Sequence, residues 1–120
     1  MTEFNPIGGF FELEVPKLGQ GYHPDALALI NGRACMRWIL EHEKPMRVYV
    51  PFYTCYALYA PMNKMGIEVV FYSIDKYLDP VDLPEPKAGE LLILVNYYGL
   101  KNHLVNTLAS KFSNLNLLTK

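Results

Sequence analysis

Leu91-Leu92-Ile93-Leu94-Val95 is an apolar run with no polar residue to interrupt it. Successive side chains of a strand point to opposite faces, so a strand with one wet face alternates apolar and polar residues. An unbroken run asks for cover on both faces, which is the position of a strand inside a mainly parallel sheet carrying helices above and below. Two other segments have strand character. "RVYV" (47–50) is short, and "IEVVFYSID" (67–75) is rich in β-branched and aromatic residues.

Helical patterns separate these strands. In "DALALINGRACMRWILEHEK" a short apolar segment breaks at Asn31-Gly32, and Ala34, Met36, Trp38, Ile39 and Leu40 then suit a helix with a wide buried face. Pro45 closes it. "TCYALYAPMNKMG" reads as a second helix, with Thr54 as its cap, Gly66 as its stop and Pro61 as a kink or early break. Residues 76–90 hold three prolines and four acidic residues, an exposed loop with room for one helical turn. "HLVNTLASKF" (103–112) is a third helix and "LNLL" (115–118) begins a last strand. Residues 1–23 are rich in Gly and Pro and read as irregular. The alternation over 24–120 predicts one α/β domain of three layers, a mainly parallel sheet with helices on both faces.

Composition narrows the function classes. The 120 residues carry a formal net charge of −1, with basic residues scattered rather than clustered. No nucleic-acid partner is expected from such a distribution. No run approaches a membrane span of ~20 residues, so no membrane partner is expected. Cys35 and Cys55 form neither a disulfide framework nor a metal spacing, and no signal peptide is visible. These features suggest a cytoplasmic chain with reduced thiols. Its nine tyrosines suit half-buried walls of pockets and interfaces.

Three short stretches stand where ligands are held in open α/β sheets. Asn31-Gly32-Arg33-Ala34 precedes a helix, where free backbone N–H groups favour an anion and glycine lets a phosphate come close. The same stretch also reads as a plain turn in which Asn31 caps the helix. Pro51-Phe52-Tyr53-Thr54-Cys55 and Asn96-Tyr97-Tyr98-Gly99 both leave strands at the carboxyl end, the ligand-facing end of such sheets. The first also reads as core and helix cap, and the second as an aromatic-lined turn with Gly99 at positive φ. His23, His42 and His103 share no metal spacing.

In order and spacing, "YHPDALALINGRACMRWIL", "YVPFYTCYALYAPMNKMGIEVVFYSID" and "LLILVNYYGL" resemble the amino-terminal half of DegT-type aminotransferases. These are pyridoxal-phosphate enzymes of fold type I, of which many act on nucleotide-linked sugars. The resemblance runs from about residue 8 onward and implies a partial large domain of that fold. It implies that Gly32, Arg33 and Ala34 meet the cofactor phosphate through backbone amides. Thr54 and Cys55 fall beside the pyridine ring, Cys55 where the family places an aromatic residue. Asn96 takes the place of a family histidine near the ring. The family's pyridine-pairing acid and Schiff-base lysine have no counterpart in these 120 residues. The resemblance therefore implies a truncated, catalytically inert relative of enzymes that move an amino group to a keto sugar or similar carbonyl.

Two other readings stand beside it. An α/β chain with an open sheet edge and apolar helix faces suits a non-catalytic module that assembles into a homodimer or larger oligomer. A small enzyme using Cys55 with His23 or His103 is the third, although no local signature marks such a pair.

Overall fold

The computed structural model describes residues 23–112 and 117–119. The irregular reading of the amino-terminal segment, and Lys120, fall outside the described residues, apart from His23. The elements run α1 (Gly32–Glu43), β1 (Arg47–Pro51), α2 (Tyr56–Lys64), β2 (Glu68–Ile74), β3 (Pro80–Val81), β4 (Glu90–Leu94), a 3-10 turn (Tyr97–Gly99), α3 (Asn102–Lys111) and β5 (Leu117–Thr119). The strands form one sheet in the order β3-β2-β1-β4-β5. Every pairing is parallel except the short β2–β3 one. β3 lies in the acidic loop, where Pro80 and Val81 pair with Ile74 and Ser73 instead of forming a helical turn.

The period of two along each strand sorts the side chains into two cores. Val48 and Val50 of β1 and Leu91 and Ile93 of β4 point to the face covered by α1 and α2, where they pack with Met36, Leu40, Leu58 and Met62. Tyr49, Tyr72, Leu92 and Leu94 point to the other face, against Phe112 and Leu108 at the end of α3 and Leu83 of the acidic loop. All five β4 residues are buried. The unbroken apolar run is thus an interior strand covered on both sides, and the architecture is α/β with helices on both faces.

Local signals set the element ends. Asn31 caps α1, its Oδ1 accepting the Ala34 N–H at 2.9 Å. Lys44 ends the helix in a left-handed conformation, its N–H returning to the Leu40 carbonyl. Gly66, at φ 69°, turns the chain out of α2. Two details differ from the sequence expectation. The cap position of α2 is Cys55 rather than Thr54, because the Thr54 N–H folds back to the Phe52 carbonyl at 2.9 Å and delays the helix by one residue. Pro61 does not end α2, which continues to Lys64. The proline is buried, and what it withholds is the N–H that the Ala57 carbonyl would otherwise accept.

Buried polar groups are paired. Glu90, only 7% exposed, opens β4 and accepts from the Lys87 N–H at 2.8 Å, the Tyr49 hydroxyl at 3.1 Å and Arg47 at 3.3 Å. Arg47 also binds Glu68, so three parallel strands are tied together at their amino ends. The buried Tyr72 hydroxyl donates to the Ile93 carbonyl at 2.7 Å, linking β2 to β4.

Candidate functional site

Connections leave β1 and β4 in opposite directions. From β1 the chain passes through α2, on one face, to β2; from β4 it passes through α3, on the other face, toward β5. β1 and β4 are neighbours, so the crevice beyond their carboxyl ends is the switch point where open α/β sheets hold ligands. The two stretches that emerge there are residues 52–55 and 95–101.

These exits are stitched together. The Tyr97 hydroxyl donates to the Tyr53 carbonyl at 2.7 Å, and the two rings lie 5.7 Å apart. Burial, and secondarily Tyr53, pushes the Tyr97 phenol above its ordinary pKa. Lys101 reaches Asp79 at 2.7 Å and so ties the β4 exit to the β2 exit. Asp79 belongs to a turn organised by Asp75, whose Oδ1 accepts the N–H groups of Tyr77 and Asp79. Gly99 has φ 71°, in the region that favours glycine.

Beside this edge the amino end of α1 meets the start of α2. Gly32, Arg33 and Cys55, with Asn31, Ala57 and Leu58, line a hollow of about 180 Å³. A helix start leaves its first N–H groups without intrahelical acceptors. Asn31 takes those of Ala34 and Cys35. The N–H groups of Gly32 and Arg33 have no partner among the described residues. A Cβ built on Gly32 would meet nothing within 4 Å, so its surroundings are open to a ligand. Two free amides, the positive end of the helix dipole and a guanidinium are together suited to an oxyanion.

The six residues singled out from the sequence are divided by the structure. Gly32, Arg33 and Cys55 line the hollow. Ala34 has its N–H engaged by the cap and lines an adjoining groove. Thr54 is half-buried in the turn just before Cys55. Asn96 does not line the hollow; its amide is engaged locally, the Oδ1 accepting the Lys101 N–H at 2.8 Å and the Nδ2 donating to Asn102 at 2.6 Å. The Tyr53–Tyr97 and Lys101–Asp79 ties escaped sequence reasoning. A tyrosine two residues beyond Pro51 and another just after Asn96 are the only hint of the first, and nothing local signals the second. Among the described residues no group of three or more His, Cys, Asp or Glu is placed to hold a metal ion, and no helix is long and apolar enough to cross a membrane.

No family model matches the chain, and no curated protein matches it.

Proposed function

We propose that this chain is the amino-terminal part of the large domain of a DegT-like, fold type I aminotransferase, and that its own contribution is to hold the phosphate end of pyridoxal phosphate. The observation that carries this reading is the hollow beside the switch point, lined by the start of α2 and by Gly32 and Arg33, whose N–H groups have no partner among the described residues. The ordered likeness of the three sequence stretches supplies the identity of the anion's parent molecule.

The residues fit the two ends of that cofactor unequally. The phosphate end has amides, dipole and Arg33. The ring end has the exposed Cys55 thiol, which offers no stacking surface. The nearest aromatic rings are engaged elsewhere: Tyr53 lies against Tyr97, and Tyr56 packs edge-on to Tyr59. The Asn96 amide is committed to its own turn. The bound group would supply an electron sink for amino transfer. In this reading residues 23–119 bind and orient its phosphate and perform no bond-making step.

The test uses pyridoxamine phosphate, which is fluorescent and cannot form a Schiff base with stray lysines. Saturable binding is expected, with pyridoxamine lacking the phosphate at least tenfold weaker, a difference of about 1.4 kcal/mol. Arg33→Glu should remove it. Equal binding of the two compounds, or an unaffected Arg33→Glu variant, would refute the reading.

A second reading, a homo-oligomeric interaction module, rests on exposed aromatics near the β1 and β2 exits. Phe52 is 75% exposed, and Tyr53, Tyr56 and Phe71 are exposed beside it. Contiguous apolar surface of this kind marks association sites. Sedimentation at several concentrations tests it, a concentration-independent monomer being the adverse result.

A further inference from the structure

A second concavity lies between α1 and the carboxyl end of α2, a groove of about 520 Å³. That volume is within the range of small-molecule sites. Three cations line it: Arg33 and Arg37, one turn apart on α1, and Lys64 in the last turn of α2. Among the described residues no carboxylate lines it. In a chain of net charge −1, this is a local concentration of one sign. Arg37 bonds Glu41 at 2.8 Å, but both partners are exposed, and such pairs contribute little. Arg33 and Lys64 have no ion pair among the described residues. Apolar residues line the groove beside the cations. Ile30 is 92% exposed, Met65 is 39% exposed, and Pro61 removes a backbone donor from the wall.

We propose that this groove binds a small amphiphile, an oxyanion head on a short alkyl body, with Arg37 and Lys64 on the head and Ile30 and Met65 against the alkyl chain. Carboxylate and phosphate heads share the required chemistry, since a guanidinium fork pairs with either. Charge alone would favour any anion; the exposed aliphatic side chains of Ile30 and Met65 in the same groove are what select an alkyl body. The site is distinct from the hollow at the start of α1. The two share Asn31 and Arg33, whereas Arg37 and Lys64 line only the groove.

Calorimetric titration of the full chain with octyl phosphate, octanoate and inorganic phosphate tests the proposal. One-to-one binding of an octyl compound is expected, and whichever head binds more tightly identifies the source. Inorganic phosphate should bind at least tenfold more weakly, and Arg37→Gln/Lys64→Gln should weaken octyl binding by about tenfold or more. The same variant should bind pyridoxamine phosphate like the parent, so failure here and failure of the phosphate-hollow reading are separable. No saturable binding of either octyl compound, an unaffected double variant, or inorganic phosphate binding as tightly as octyl phosphate would each overturn the proposal. Methyl NMR of the parent chain covers the case of a variant that fails to fold. The methyl signals of Ile30 and Met65 should move with octyl phosphate, and shifts confined to other methyls would overturn it.

Discussion

Replacing Leu92 with alanine and, separately, Ile93 with alanine probes both faces of the interior strand β4. Leu92 packs on the α3 side and Ile93 on the α1/α2 side, and each is 0% exposed. Either substitution removes three carbons' worth of burial, roughly 2.4 kcal/mol at ~0.8 kcal/mol per methylene. The cavity left behind adds to this, giving about 3 kcal/mol for each variant. A 120-residue chain at ~0.05–0.15 kcal/mol per residue holds roughly 6–18 kcal/mol in all. Each single variant should therefore fold, with its urea midpoint clearly lowered and its m-value unchanged. Equilibrium urea unfolding followed by far-UV circular dichroism makes the measurement. If one of the two variants lost less than about 1 kcal/mol while the other lost about 3, the strand would have cover on only one face, and the three-layer architecture would be refuted.

Three other consequences follow from named contacts. Tyr72→Phe removes the buried hydroxyl that donates to the Ile93 carbonyl and should cost about 1–2 kcal/mol in the same unfolding assay. Burial raises the Tyr72 pKa above its ordinary value of 10.0. Its neutral form is thus favoured in the fold, and the stability it contributes is complete below pH 10 and lost as pH rises beyond it; Tyr72→Phe should lack that alkaline loss. Glu90 is held below the ordinary carboxylate pKa, first by the Lys87 N–H and then by the Tyr49 hydroxyl and Arg47. Its stabilisation is present above pH 4.5 and lost on acidification, so thermal melts of Glu90→Gln should show a flatter acid limb than the parent. Asn31→Ala, which removes the cap of α1, should cost about 1 kcal/mol in urea unfolding.

How much could be read from the residues differed by element. The interior strand β4 was legible because burial on both faces leaves a pattern no half-exposed strand shares. The start of α1 was equally plain, since Asn-Gly before an apolar-periodic segment carries its own capping chemistry. The cap of α2 was misplaced by one residue: Thr54 is the better capping residue, but a backbone bond from its own N–H to Phe52 fixes the turn first. Pro61 looked like a break, yet it is buried inside α2 and the helix runs on to Lys64, with its neighbours Leu58 and Met62 packed in the core that α1 shares. β3 was invisible, because a two-residue strand carries no periodicity.

At the site, the meeting of Gly32, Arg33 and Cys55 was implied by the family resemblance, whereas each stretch alone also read as an ordinary turn or cap. Whether Asn96 faced them was not legible. Its amide could serve a ligand or its own turn, and only three-dimensional placement shows both of its ends engaged by Lys101 and Asn102. The basic groove also escaped notice, since Arg33, Arg37 and Lys64 are brought together only by the packing of α1 on α2.

Amide NMR of the isotopically labelled chain, titrated with pyridoxamine phosphate, addresses the phosphate-hollow reading most directly. The Gly32 and Arg33 amide signals should shift strongly and saturate together. The Ala34 amide, held by Asn31, should move much less. Shifts spread over the surface, or centred on residues away from the start of α1, would contradict it.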